Sequence, residues 1–281
     1  MIEDHVKSIR KHMRAAVEAA EVILYPYPHF QVENIWPKQV YDGFHQFNPL
    51  EKRKGLTKPW LEKFSDSNPQ YKIRKQLDLY DLIDVNIPNA PDIQFWKIIN
   101  TVLFEDNWYI KLISTKLPQY FAVLFGPQFN SSNDWAPKMT QDWFVQKHGL
   151  DYFIGPHTDR HDRVFTNIFS LPKEEGYDHL GTSLWTAKPG DYSEGGRHYT
   201  FENFTKHAQM KYIPNQLFVF FKSRWGFHAV EKFNDIDSTS RYGMQIQVYE
   251  PGHSYREIDE NTEGYKVMLD GNTPIGKKGK N

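Results

Sequence analysis

Apolar side chains in the first half of the chain recur at helical spacing. Val6, Ile9, Met13, Val17, Ala20 and Leu24 form one stripe, which predicts an amphipathic helix over residues 3–24 lying on the body of the domain. The stretch YPYPHFQVENIWP breaks that helix and supplies an extended segment, and PKQVYDGFHQF predicts a short helix after it. Residues 49–80 are polar, Lys-rich and poorly periodic, and read as surface loops with small helices. Two more helices are predicted over 91–105 and 107–125. Phe95, Ile98, Ile99, Val102 and Leu103 face one way in the first, and Ile110, Leu112, Ile113, Leu117, Tyr120, Phe121 and Leu124 in the second. Pro118 should kink or break the second, because it lacks an N–H and crowds the preceding turn.

From Met139 the period becomes two. Met139, Gln141, Trp143 and Val145 alternate with Thr140, Asp142 and Phe144, as on a strand. Short β-like runs follow at 152–154, 164–171, 182–185, 206–212, 216–222, 226–230 and 241–249, with turn-rich pieces such as KPGDYSEGG between them. Helices first and strands afterwards predict a mainly β protein with supporting helices (α+β), a sandwich or jelly roll braced on one sheet. The chain reads as a single domain over 1–281. Residues 1–138 form helical and irregular support, 139–250 the jelly-roll core, and 266–281 a loose tail.

Composition sharpens this. The chain has 281 residues, and its aromatic share of 16% suits a core built on pleated sheets. A formal net charge of -1 supplies no global field for nucleic acid, so none is expected as a partner. There are no cysteines, which removes disulfides, thiolate nucleophiles, Fe–S clusters and thiolate zinc sites together. Any metal must sit on nitrogen and oxygen. The N-terminal AAVEAAEVILYPYP is cut by Glu18 and Glu21, unlike a signal peptide, and no apolar run reaches the roughly 20 residues that span a bilayer. A cytoplasmic protein without a transmembrane segment is expected.

The chemistry concentrates in three places. GPHTDRHDR places His157 and Asp159 two apart, so on a strand both would face one ion. Alone this pair is equally a surface turn with a capping Asp. His228 lies in QLFVFFKSRWGFHAVEKF, read as strand, turn and strand with the histidine opening the second strand. By itself, a histidine among aromatics is more often a satisfied core residue. Arg241 opens RYGMQIQVYE, whose alternation puts Arg241, Gly243, Gln245 and Gln247 on one face and Tyr242, Met244, Ile246 and Val248 on the other. An arginine there can grip a carboxylate in bidentate fashion, although an exposed ion pair is the commoner use.

In order and spacing the four residues resemble the 2-oxoglutarate/Fe(II)-dependent dioxygenases, especially the prolyl-hydroxylase-like branch. YPHFQVENIWP, GLDYFIGPHTD, VFTNIFSLP and GTSLW resemble that branch as well, so the likeness covers about residues 26–250. The resemblance implies a double-stranded β-helix with Fe(II) held by His157, Asp159 and His228, and 2-oxoglutarate held by Arg241. It implies an oxygenase that consumes O2 and hydroxylates, or desaturates, a small-molecule, peptide or saccharide substrate with release of succinate and CO2. Retention of Asp159 points away from a halogenase. One departure stands out: many members carry Ser or Thr two residues after the arginine, where this chain has Gly243. Gln245 or Tyr152 would have to substitute.

Other residues compete for roles. His161 is a further candidate ligand that the Asp-rich turn should direct outward, His179, His198 and His207 precede the distal strand, and His198 could line the substrate mouth. Trp225 or Phe227 could wall the pocket, with core packing expected for at least one. Two rival readings remain: a cupin-like metalloenzyme, which would use three or four histidines with a Glu, and a non-catalytic sandwich that binds a partner.

Overall fold

The structure is a computed structural model. It describes residues 2–56, 58–59, 73–84, 87, 90–125, 135–160, 162–190, 192, 195, 197–232 and 240–251. The tail expected over 266–281, His161, and much of the 49–80 segment lie outside the described residues.

Helix α1 (Ile2–Ala19) buries Val6, Ile9, Met13 and Val17, the stripe read from the sequence, and opens with Glu3 and Asp4 against its positive end. It stops earlier than expected. The backbone N–H and C=O of Ile23 pair with those of His29 at 2.9 Å, which takes the chain out of the helix, and Leu24 is left exposed. Helices α2 (Lys38–Gln46), α3 (Pro49–Lys52) and α4 (Leu79–Ile83) are short. Helix α5 (Pro91–Phe104) packs on α1, and Arg10 of α1 donates to the carbonyls of Thr101 and Val102 at 2.7 and 3.0 Å. The Thr101 carbonyl also accepts from the Glu105 N–H that caps α5, so Arg10 adds a second donor in the last turn, where intrahelical partners run out. The stretch over 107–125 does break before Pro118, into α6 (Trp108–Ser114) and α7 (Pro118–Phe125).

The β-runs read from Met139 onward correspond to β4 (Thr140–His148), β5 (Ile154–His157), β6 (Arg163–Ser170), β7 (Ser183–Ala187), β8 (Phe204–Gln209), β9 (Gln216–Phe221), β10 (Phe227–Val230) and β11 (Arg241–Tyr249), except that β5 shares only Ile154 with the run read over 152–154 and β8 ends before Met210. The extended segment after α1 is β1 (His29–Glu33). The 49–80 segment is not all loop and helix, because β2 (Lys58–Pro59) and β3 (Arg74–Asp78) extend a sheet there. RKQLD alone does not look like a strand; the neighbouring β4 recruits it by pairing Arg74 with His148.

The strands form two antiparallel sheets, ordered β1-β9-β6-β11-β4-β3-β2 and β5-β10-β7-β8. The larger sheet carries the helices. Tyr242, Met244, Ile246 and Val248 of β11 face the apolar core with Met13, Trp96 and Ile113. Alternation sends Arg241, Gly243, Gln245 and Gln247 to the opposite face. All nine residues of β11 are buried, so it is covered on both sides. No helix among the described residues is long and apolar enough to cross a membrane.

Candidate metal centre

Strand pairing brings the candidate residues together. β5 and β10 are neighbours in the smaller sheet, and His228 lies directly opposite His157, with ring centroids 4.2 Å apart. β5 ends at His157, so Asp159 sits in the extended segment just beyond the strand rather than on it. Thr158 between them is buried, and its hydroxyl accepts from the Gly195 N–H at 3.1 Å, which ties the segment down. One ligand atom from each of His157, Asp159 and His228 lies within 4.8 Å of the other two, and all three residues are buried.

The two imidazoles are oriented by the same local device. Nδ1 of His157 donates to the Gly155 carbonyl at 2.9 Å, and Nδ1 of His228 reaches the Gly226 carbonyl at 3.4 Å. Each ring therefore keeps its Nε2 lone pair for a third party. Burial, and then the neighbouring His228 and His198, push His157 well below the usual histidine range; burial likewise lowers His228, against the pull of Asp159. Both rings are neutral donors at physiological pH. Burial alone would raise the Asp159 carboxyl, but Arg163, His228 and the Thr166 hydroxyl outweigh it and hold the group below the usual carboxylate range. Two neutral nitrogens and one carboxylate oxygen suit a divalent ion with open positions, and they are one ligand short of a closed tetrahedral zinc site.

Sequence reading missed the partners that hold Asp159. Thr166 of β6 donates to Oδ2 at 2.7 Å, and Nη1 of Arg163 donates to Oδ1. Nη2 of Arg163 is held in turn by Gln247 Oε1 at 2.9 Å, and its guanidinium lies over the Tyr249 ring at 5.4 Å. The available signal was the i,i+4 spacing of Asp159 and Arg163, but only the fold shows that the pair is buried.

Arg241 begins β11 on the inward face. It is buried, and its Nη2 donates to Thr182 Oγ1 at 3.2 Å while its guanidinium lies 5.6 Å from the Tyr212 ring centre. Its Nη1 is buried with no hydrogen-bond partner among the described residues. Burial lowers the Arg241 pKa, against the opposing pull of the Tyr212 and Tyr152 hydroxyls. A bound carboxylate would satisfy both needs. Gln245 is buried further along the strand, and Tyr152 is buried against His148, their rings stacked at 4.1 Å. A Cβ on Gly243 would come within 2.9 Å of the Phe169 carbonyl, so a side chain there would require the strand to shift.

The remaining candidates separate. His198 lies edge-on to His157, with ring centroids at 4.7 Å, and burial lowers its pKa to about 4. His179 and His207 are exposed, and His207 bonds Thr186 at 2.7 Å. Phe227 packs in the small core with Trp185, Tyr199 and Phe204, whereas Trp225 is exposed. A cavity of about 290 Å³ opens where His45, Glu51, Lys173 and Tyr242 meet, on the other face of β11 from Arg241, and the triad does not line it.

No protein-family model matches the sequence. No curated protein matches it either. Solved structures do. A prolyl hydroxylase from Trichoplax adhaerens, in complex with a hypoxia inducible factor peptide fragment, aligns with a TM-score of 0.51 and 14% identity, over 88% of this chain and 92% of that one. A Pseudomonas putida prolyl-4-hydroxylase aligns with a TM-score of 0.46 and 12% identity, over 85% of this chain and 98% of that one. The first likeness shows a shared fold; the second is too distant to add to it.

Proposed function

We propose that the chain is an Fe(II)- and 2-oxoglutarate-dependent oxygenase, hydroxylating or desaturating a substrate with release of succinate and CO2. The observation that carries this reading is the pairing of two sites in one interior. Three convergent ligands, His157, Asp159 and His228, are tied through Arg163 to Gln247 on the Arg241 face of β11, and Arg241 is a buried cation with no counter-anion among the described residues. In this reading β4 to β11 form a double-stranded β-helix, since β4, β6, β9 and β11 alternate in sequence with most of β5, β7, β8 and β10 on the opposite sheet. The whole chain is then one domain, with residues 1–138 as its brace.

Iron(II) at the triad would bind the 2-oxo acid end of the cosubstrate and supply the oxidation of an unactivated C–H bond by O2. The chain's own residues do the rest. His157 and His228 present fixed Nε2 lone pairs. Arg163 and Thr166 hold the Asp159 carboxylate so that it stays ionised and does not swing. Arg241 receives the far carboxylate, which orients the cosubstrate.

A cupin-like enzyme or a binding module remains the alternative. Among the described residues the triad is the one group of three metal-binding side chains, which disfavours a richer histidine set. Anaerobic addition of Fe(II) and 2-oxoglutarate should produce a weak visible charge-transfer band that needs both components. A protein that binds iron with no 2-oxoglutarate-dependent band, or no iron at all, is not this enzyme.

A further inference from the structure

Beside Arg241 lies a buried histidine to which nothing above assigns a role. His148, the last residue of β4, is directly opposite Arg241 in the antiparallel pair, and is 3% exposed. Directly opposed residues share a face, with Cβ atoms about 4.5–5.5 Å apart. Both ring nitrogens of His148, like Nη1 of Arg241, are buried and have no hydrogen-bond partner among the described residues. Leaving a buried polar group unpaired costs about 1–3 kcal/mol, so two such groups side by side call for a common partner.

The chemistry of that partner follows from the donors. Burial, with Arg241 and Arg74 nearby, pushes His148 well below the usual histidine range, so its ring is neutral and offers one N–H. A guanidinium N–H and an imidazole N–H on directly opposed residues of one face can be satisfied together by a carboxylate, one oxygen to each. The ring is also held in place, because Tyr152 stacks on it at 4.1 Å with planes 23° apart.

We propose that His148 is a cosubstrate-binding residue that holds the far carboxylate of 2-oxoglutarate together with Arg241. The inference rests on the oxygenase reading and deepens it. His148 takes the place of the hydroxyl absent at Gly243, where a side chain would press on the Phe169 carbonyl. Of the substitutes considered from sequence, Gln245 is four residues along the strand from Arg241, about 13 Å away at strand rise. Tyr152 supports the ring of His148 with its face, which makes it a positioning residue.

The test uses the full chain loaded anaerobically with Fe(II), titrated with 2-oxoglutarate and separately with pyruvate. Pyruvate keeps the 2-oxo acid end and lacks the far carboxylate. Binding is read from the visible charge-transfer band. His148→Phe keeps the ring and its stacking on Tyr152 but removes both nitrogens. It should weaken 2-oxoglutarate about ten- to hundred-fold while leaving pyruvate within about twofold. His148→Gln, which restores an N–H and serves if the Phe variant does not fold, should bind 2-oxoglutarate within about tenfold of the native protein and pyruvate as the native protein does. Native-like 2-oxoglutarate affinity in His148→Phe overturns the proposal, and so does equal weakening of both ligands in either variant. A native protein that shows no 2-oxoglutarate-dependent band sinks the oxygenase reading itself, a result that cannot be confused with the other two.

Discussion

At the scale of single residues, the proposed oxygenase assigns metal binding and carboxylate binding to different groups, and the two should fail differently. Asp159→Ala removes one of three protein donors and should abolish iron retention, measured as bound iron after gel filtration. Arg241→Ala should leave iron bound but raise the 2-oxoglutarate concentration needed for half-saturation about 30- to 150-fold, the loss of a charge-assisted pair. An unchanged requirement would mean that another cation does this work. Arg163 acts one layer out. Burial favours the protonated Asp159, and Arg163 is the largest force against it. In the native protein the ionised carboxylate is lost only as pH falls through its depressed pKa. In Arg163→Gln that pKa rises, so iron release on acidification should begin at higher pH than in the native protein. Superimposable release curves would assign the setting of Asp159 to Thr166 and His228 instead.

At the scale of elements, short pieces are held by specific polar ties more than by propensity. Helix α5 begins with Pro91 and Asp92, and Asp92 receives Nε and Nη2 of Arg53 at 2.7 and 2.8 Å. The pair anchors the start of α5 to the segment after α3, and the arginine's hydrogen bonds hold Asp92 below the usual carboxylate range. Because the folded pKa is depressed, the stabilisation is present in full above the unfolded value, about 3.9, and disappears as pH falls through the folded one. Asp92→Asn should therefore destabilise at pH 7 by about 1 kcal/mol, discounted for the partly exposed arginine, and have a flatter acid limb in thermal melts. Parallel pH profiles would show that the tie adds nothing. Strand β3 makes the complementary point. RKQLD carries no strand pattern, yet it pairs residue by residue with β4 from Arg74 to Asp78.

At the scale of the molecule, the larger sheet divides two unlike interiors. The helix side is apolar, with Met13, Trp96, Trp143, Met244 and Ile246 in one core. The side facing the smaller sheet carries buried Arg241, His148, Gln146 and Gln216, several with atoms that find no partner. The first interior stabilises, and under the proposed function the second gives up stability for binding. Gln216, with both side-chain polar atoms buried and unpaired among the described residues, measures the exchange. Gln216→Leu should raise the stability of the ligand-free protein by about 1 kcal/mol, a melting shift of about 2–4 °C for a chain of this size. A lower melting temperature would mean that the amide is satisfied in solution.

The sequence by itself determined the period changes, and with them the helices, the strands from Met139 onward and the two faces of β11. These depend on neighbours three, four or two residues away, which any stretch of chain contains. It also singled out His157, Asp159, His228 and Arg241, because their order and spacing together resemble those of the 2-oxoglutarate/Fe(II)-dependent dioxygenases. Only the tertiary structure decided where α1 stops, that Arg74–Asp78 is a strand, and that Arg163, Thr166, Thr182 and His148 surround those four. Backbone pairing made several of those choices: Ile23 with His29 across a short turn, and Arg74 and Arg241 with His148 between segments far apart in sequence. No local pattern encodes which strands will be neighbours, so the residues that neighbourhood makes functional stay hidden until the sheets are assembled.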